Sequence, residues 1–522
     1  MDVIIVAGMS KTGGSQFGVR LDIVRNGSVM NFANLQKLFG VPSKEDSLNY
    51  NTPYLAGIYL YNYLSRRGIR SGLINFLDDE LETFQKFLQH SPKAVALSTT
   101  FLTDIRSVKK VTQIIRQYAP DIKILLGGPL VFNSYLLYRL QGTDYDSASC
   151  ARDYFFLNSE KDYYRDIDLF IIEEQGEETL YRVLEAIRTR RDYSEIPNLA
   201  FYKKDRLTVN ARKSEHNDFS NDLVDWDRVP EHYLFPVFPL RGSRGCPYRC
   251  QYCNFSPNRA FRLKSAEILG REIQALVDTK KVKFIRFTDD NLFLTPKLVE
   301  AYCRKILEVG KGIRWSSFIR ANSISKDTIG LLRDSGCLST MIGMESGNKA
   351  ILAGMNKEDT PEHYLEVVEL LNTQGISTQL TFIIGYPGET PQTIEDTVHL
   401  INQFHYQGPA INEISIFPFG LAPLSPIFSP ENRRKNKLKG YMMDWSHETM
   451  DSETARKYAG SLFLQLKNVH HHYGIAELLT VEMGKLKRVA ELRSRIRRGE
   501  LLRDPEKDLE KIWDDLRIAV LS

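Results

Sequence analysis

The sequence predicts an α/β chain in three parts: a doubly wound parallel domain over residues 1–190, a partial barrel of six βα units over 236–430, and a mainly helical segment over 431–522. Apolar runs of strand length alternate with amphipathic helical patterns in two separate series. Residues 191–235 between them are polar and aperiodic, as a linker would be. At 522 residues the chain is also too long for one ordinary hydrophobic core, and its 42% apolar content supports burial in two.

The first series runs through a strand at residues 3–7, a helix over 54–67, strands at 72–76 and 94–98, and a helix over 104–118. Strands at 122–126 and 169–173 follow, the second leading into a helix from Glu177. Residues 130–166, rich in Tyr, Asp and Ser, break the rhythm and read as an insertion or long loop. The second series offers strands at 239–242, 284–288, 314–318, 340–344, 379–384 and 413–417. In such a fold the active site lies at the carboxyl ends of the strands. Beyond Pro423 the pattern turns helical. Asp504 and Pro505 suit the N-cap and first position of a last helix, with Leu509, Ile512, Trp513, Leu516 and Val520 at helical spacing.

Net charge is only +4 on 69 basic and 65 acidic residues, which gives no hint of a nucleic-acid partner. The Lys/Arg-rich stretch at 485–498 reads as a solvated helix face. No apolar run approaches the roughly 18 residues needed to span a bilayer, and the N-terminal residues lack the layout of a signal peptide. A cytoplasmic location is therefore expected. Six cysteines, three of them within eight positions, suit reduced thiolate ligands better than a disulfide scaffold.

Those three lie in Arg244-Gly245-Cys246-Pro247-Tyr248-Arg249-Cys250-Gln251-Tyr252-Cys253, on a loop after the first strand of the second series. Soft thiolates suit iron and zinc. A structural zinc site is normally closed by a fourth Cys or His. The nearest candidates, Cys303 and Cys337, fall on a later helix and in a turn before a strand. Three thiolates instead leave one metal of a 4Fe-4S cube open. With Tyr252 just before the third cysteine, the triplet resembles the signature of the radical S-adenosylmethionine (SAM) superfamily. The resemblance implies a 4Fe-4S cluster on Cys246, Cys250 and Cys253 whose open iron chelates the amino and carboxylate groups of SAM. It implies reductive cleavage of SAM to a 5'-deoxyadenosyl radical, and an electron donor such as flavodoxin or ferredoxin.

Motifs at later strand ends resemble the version of this superfamily found in methylthiotransferases and cobalamin-dependent enzymes. From that resemblance, Asp289 and Asp290 in Phe287-Thr288-Asp289-Asp290-Asn291 would meet the SAM amino group. Arg320 would pair with its carboxylate. Glu345 and Ser346 in Gly343-Met344-Glu345-Ser346-Gly347 would meet ribose hydroxyls, and Gly385 in Gly385-Tyr386-Pro387-Gly388-Glu389 would let adenine approach the backbone. Singly, each has a plain structural reading as a cap, a turn or a loop. Their order behind the cysteine triplet is what points to a cofactor.

A doubly wound domain before such a core resembles the Rossmann-like cobalamin-binding domain of class B radical SAM methylases. The matching pieces are Ser98-Thr99-Thr100-Phe101, Gly127-Gly128-Pro129 and Glu174-Gln175-Gly176-Glu177, with Ser98, Thr99, Thr100, Gly127, Gly128, Glu174 and Gly176 as implied cobalamin contacts. The Asp-x-His-x-x-Gly loop of many cobalamin proteins is missing, since residues 8–14 read Gly-Met-Ser-Lys-Thr-Gly-Gly. A bound cobalamin is thus expected to lack a histidine on its lower face. A methylthiotransferase is disfavoured because that family carries a second cysteine triplet, and the first domain here offers only Cys150.

The expectation is a cobalamin-dependent radical SAM enzyme acting as a C-methyltransferase on a small-molecule or peptide substrate. Cyclisation or rearrangement without methyl transfer is the alternative within the class. A non-catalytic iron-sulfur or zinc-binding interaction protein is the alternative outside it. His470, His471 and His472 read as a helix C-terminus. Trp445, His447, Thr449 and Met450 occupy an irregular stretch that either closes the barrel mouth or forms a packing elbow.

Overall fold

The computed structural model describes residues 1–9, 24–25, 28–29, 53–158, 160–218, 223–255, 260–404, 410–466, 470–471 and 514. The chain divides into two compact units, with the boundary between Phe235 and Pro236. The last helix expected from Asp504 onward, the basic stretch at 485–498 and most of the loop at 8–14 lie outside the described residues.

The first unit is built on a seven-stranded sheet. Its elements are β1 (Val3–Val6), α1 (Leu55–Arg66), β2 (Ser71–Ile74), α2 (Leu81–Leu88), β3 (Ala94–Ser98), α3 (Ile105–Tyr118), β4 (Lys123–Gly127), α4 (Pro129–Arg139), β5 (Leu169–Ile171) and α5 (Glu177–Thr189). A hairpin, β6 (Leu199–Lys203) and β7 (Arg206–Val209), completes it. The order is β2-β1-β3-β4-β5-β6-β7, with the first five strands parallel and the hairpin antiparallel at the edge. Strands β1 and β3 are buried along their whole length, as their unbroken Val/Ile/Leu/Ala runs require in a sheet covered on both faces. The strand order reverses between β1 and β3, and ligands of such sheets bind outside the carboxyl ends at that point.

Two expectations are corrected here. The supposed insertion begins with a full helix, α4, whose Pro129 fills the first turn without wasting an amide donor. Its six buried residues lack a clear stripe against polar neighbours, so periodicity hid it. The supposed linker contributes β6 and β7 to the first sheet, because the hairpin turn at Lys204-Asp205 adopts positive φ at both residues and pairs residues 199–203 with 206–209.

The second unit carries seven parallel strands in chain order: β8 (Val237–Leu240), β11 (Phe284–Phe287), β12 (Arg314–Phe318), β13 (Cys337–Glu345), β14 (Ser377–Ile384), β15 (Asn412–Pro418) and β18 (His470–His471). A short pair, β9 (Ser243–Arg244) and β10 (Arg262–Leu263), flanks the cysteine loop. Between strands lie α6 (Ala266–Asp278), α7 (Pro296–Val309), α8 (Ile329–Asp334), α9 (Lys349–Gly354), α10 (Pro361–Thr373) and α11 (Pro391–Asn402). Three of these start with the same device. Thr295-Pro296, Thr360-Pro361 and Thr390-Pro391 each place a threonine hydroxyl on an amide of the first turn and a proline where no donor is needed. The core under β11 and β12 is aromatic: Trp315 stacks on Phe293 at 5.4 Å and meets Phe287 edge-on, while its indole N–H donates to the Ser335 carbonyl at 2.9 Å.

After β15 the chain is not simply helical, as had been expected. It forms α12 (Pro430–Lys435), a hairpin of β16 (Lys439–Tyr441) and β17 (Asp444–Ser446), α13 (Ser452–Leu462), and β18. His470 and His471 therefore pair with Glu413 and Ile414 as strand residues and do not end a helix. Three consecutive histidines carry no periodicity that distinguishes the two states.

Candidate active site

The cysteine loop leaves β8 and is fastened before it reaches its first thiol. Asp289, just past β11, is 2% exposed, and its carboxylate accepts from the amides of Gly242 and Ser243 and from the Ser243 hydroxyl at 2.5 Å. Lys264 and Glu272 form a fully buried ion pair, and the Lys264 ammonium also donates to the Arg241 carbonyl at 2.8 Å. Further along, the Gln251 amide donates to the Met355 carbonyl and the Asn356 amide group to the Arg249 carbonyl, both at 2.9 Å.

Cys250 is buried, and Cys246 and Cys253 are half-buried. Burial pushes the Cys246 thiol up to about 11, with Asp290 and the other two thiols adding to the shift. The loop turns back on itself where the Cys253 amide donates to the Cys250 carbonyl at 3.1 Å. Among the described residues no trio of His, Cys, Asp or Glu is set for a single ion, and a cluster of several irons spans a wider gap than one ion does. Iron binding here must displace a proton from the desolvated Cys246 thiol.

Around this loop the expected cofactor residues separate into two groups. Arg320, Glu345, Tyr252 and Gly385 form the candidate site. Arg320 donates through Nη1 to Cys250 Sγ at 3.6 Å and lies 3.7 Å over the Tyr248 ring, and its Nη2 has no protein partner. Glu345 sits at φ 66° beside a register shift in β13 that leaves Met344 out of the ladder. Its Oε1 accepts from the Tyr252 hydroxyl at 2.7 Å and from Lys357 Nζ at 3.4 Å, while Lys357 also donates to the Gly343 carbonyl at 2.6 Å. At Gly343 a Cβ would fall 2.2 Å from the Glu345 carboxylate and push it from this position. Gly385 sits at φ 97°, with its amide bonded to the Glu389 carboxylate.

Asp289 and Ser346 do not join them. Asp289 is spent on the backbone of the cysteine loop. Ser346 is fully buried, 3.4 Å from the Thr397 hydroxyl, and accepts from the Asn348 amide. Within the chain both serve as anchors. Asp290 is exposed on the Cys246 side.

Several buried polar atoms have no protein partner: Arg320 Nη2, both amide atoms of Asn291, Asn322 Oδ1 and the Tyr364 hydroxyl. Tyr364 is 1% exposed, and burial pushes its phenol upward, aided by the charges of Asp359 and Glu345. Orphaned donors and acceptors beside a thiol trio fit a zwitterionic, hydroxyl-rich ligand, because leaving them dry costs roughly 1–3 kcal/mol each. SAM and an open-iron cluster fit the residues present. Lys357, Asn322 and Tyr364 were not singled out in the sequence, and Asn291 only as the end of its motif; a lone lysine after a helix or a lone tyrosine on one carries no signal of a site.

In the first unit, the expected cobalamin residues lie on neighbouring carboxyl ends of its sheet. Thr99 accepts from the Leu130 amide at 3.2 Å and donates to the Gly127 carbonyl at 2.9 Å, tying the end of β3 to that of β4. Gly128 sits at φ 104°, where a Cβ would lie 2.8 Å from the Thr99 hydroxyl. The Ser98 and Thr100 hydroxyls are 3.0 Å apart. Gly176 opens α5 at φ 74°, with the half-exposed Glu174 two residues before it. Tyr54 and the exposed Phe101 stack at 3.8 Å beside the switch point, an apolar platform to which the sequence contributed Phe101 but not its partner Tyr54.

Comparison with known proteins agrees with this geometry. Residues 240–401 match the Radical SAM superfamily. The chain is 23% identical over 326 residues to an uncharacterized methyltransferase of Pyrococcus horikoshii, covering 58% of this chain and 70% of that one. It is 24% identical over 248 residues to the anaerobic magnesium-protoporphyrin IX monomethyl ester cyclase of Rubrivivax gelatinosus, 45% of each; the match thus spans less than half of that relative. In fold it resembles the cobalamin-dependent SAM radical enzyme OxsB, solved with aqua-cobalamin and SAM bound, at TM-score 0.59 and 14% identity, covering 91% of this chain and 78% of that one. No helix among the described residues is long and apolar enough to cross a membrane. Residues 240–401 are thus similar to the Radical SAM superfamily, and beyond them the likeness to OxsB is one of fold alone.

Proposed function

We propose that the protein is a cobalamin-dependent radical SAM enzyme and, within that class, a C-methyltransferase. The observation that carries this reading is the Arg320 fork, with Nη1 on Cys250 Sγ and Nη2 unpartnered, beside the chain Tyr252–Glu345–Lys357 that leaves the cysteine loop. When bound, a reduced 4Fe-4S cluster supplies the electron that cleaves SAM, and cobalamin supplies a methyl carrier.

The chain's own residues bind and orient. Cys246, Cys250 and Cys253 hold the cluster. Arg320 Nη2 is available to the SAM carboxylate while Nη1 stays on Cys250, a charge-assisted contact at each end of one rigid fork. Glu345, fixed by Tyr252 and Lys357, offers its remaining lone pairs to ribose hydroxyls. The Gly385 turn presents backbone to adenine. In the first unit Ser98, Thr100 and the glycines at 127, 128 and 176 leave room for an extended cofactor tail against amide groups, with Phe101 and Tyr54 as a flat apolar neighbour. A small electron donor such as flavodoxin or ferredoxin is the partner this chemistry calls for.

The test is anaerobic reconstitution with iron, sulfide and hydroxocobalamin, with Cys250→Ala as control. Cobalt near one per chain together with a cluster absent from the variant supports the two-cofactor enzyme. Cluster without cobalt refutes the cobalamin half. Incubation with SAM and a reductant then separates methyl transfer from the cyclase-like reading that the Rubrivivax relative supports. Release of S-adenosylhomocysteine matching bound cobalt supports methyl transfer; 5'-deoxyadenosine without it supports cyclisation or rearrangement.

A further inference from the structure

The Gly385 turn is held from outside the six βα units. His447, which follows β17 and lies beyond the residues that match the superfamily, donates from Nε2 to the Gly385 carbonyl at 2.9 Å. Its tautomer is set by its other nitrogen: Nδ1 accepts from the amides of Met450 at 3.2 Å and Thr449 at 3.3 Å, so the ring proton must sit on Nε2. The ring lies flat on Trp445, with centroids 5.0 Å apart and planes 5° from parallel. Trp445 is locked in turn by donating to the Phe419 carbonyl at 2.7 Å. Its six-membered ring covers Gly385 so closely that a Cβ there would lie 2.7 Å away.

The Gly385 peptide is therefore gripped on both sides. Glu389 takes its amide, and His447 takes its carbonyl. A turn at φ 97° has no ladder of its own to hold it, so these two side chains set the plane of the backbone that faces the ligand.

We propose that His447 is a positioning residue for the SAM nucleoside, acting through the Gly385 carbonyl, and that the segment after the sixth unit completes the cofactor site. This rests on the reading that the Gly385 turn receives adenine. Substitution separates positioning from simple packing, because His447→Gln keeps a donor at the Nε2 position whereas His447→Asn keeps only the acceptor that fastens Thr449 and Met450. Binding of radiolabelled SAM to reconstituted enzyme is measured by equilibrium dialysis, with cluster content and unfolding midpoint as folding controls. Binding of methionine, which lacks the nucleoside, is followed by electron paramagnetic resonance of the reduced cluster.

SAM affinity is expected to fall roughly five- to tenfold in His447→Asn, the equivalent of one lost hydrogen bond. His447→Gln should stay close to wild type, and methionine should bind all three proteins alike. Equal SAM affinity in both variants, or loss in His447→Gln with retention in His447→Asn, overturns the proposal. Wild-type enzyme that carries its cluster and binds methionine but not SAM would instead overturn the adenine reading beneath it.

Discussion

Replacing Asp289 by Asn tests whether this carboxylate anchors the cysteine loop or touches SAM. In the structure its oxygens receive two backbone amides and one hydroxyl, all buried. All three reach Oδ1, which Asn keeps, while the Gly242 amide also lies 3.1 Å from Oδ2, where Asn puts an NH2 group that faces this N–H with no acceptor. At about 1–3 kcal/mol for one buried unsatisfied group, the local arrangement should lose about 2 kcal/mol. That corresponds to roughly a thirtyfold shift toward an open loop. The assay is iron and sulfide per chain after reconstitution, together with the rate of cluster loss to a chelator, with Asp290→Asn as the exposed neighbour control. Asp289→Asn should load poorly and lose its cluster quickly, and the fraction that keeps a cluster should bind SAM normally. A variant that holds its cluster like wild type yet fails to bind SAM would refute the anchoring role and restore the direct contact read from the sequence.

Lys264→Met should destabilise the protein by about 3–5 kcal/mol in denaturant unfolding, because it strands Glu272 as a buried charge, and Lys264→Met with Glu272→Leu should recover most of that loss. Lys357→Met should weaken SAM binding more than it weakens cluster loading, since Glu345 loses its cation while the thiols are untouched; equal loss of both would contradict this. Burial pushes the Glu389 carboxyl from 4.5 up to about 7. The folded protein therefore holds that proton more tightly than the unfolded chain, and its contribution to stability is present below 4.5 and lost as pH rises through 7. Unfolding curves collected across this range should show wild type losing stability relative to Glu389→Gln with rising pH, and parallel curves would exclude it.

The repeating units were legible because each has a local cause. Buried parallel strands write themselves as apolar runs, and Thr-Pro pairs mark where helices begin. The cysteines were legible because spacing alone states their chemistry. What escaped depends on tertiary partners. Asp289 and Ser346 stand at strand ends like cofactor ligands, and only the three-dimensional neighbours of their oxygens reveal that backbone amides and Thr397 already occupy them. Lys357 reaches Glu345 from a turn twelve residues later, with no motif around it. The hairpin at 199–209 and helix α4 were missed because a hairpin edge and a helix with a broad buried face both lack the expected period.

The groups that fasten the cysteine loop explain how it can be ready before its cofactor arrives. Asp289 fixes the amides of Gly242 and Ser243, Lys264 fixes the carbonyl of Arg241, and the Met355 carbonyl and Asn356 fix residues 249–251 from the other side. Both approaches to Cys250 are thereby ordered by hydrogen bonds that need no metal. The cost of cluster assembly then falls on deprotonating the Cys246 thiol, pushed up to about 11 by burial, and less on closing the loop. It follows that cluster loading should depend steeply on pH in wild type, and that loosening the anchors should slow it even at alkaline pH, where deprotonation is no longer limiting.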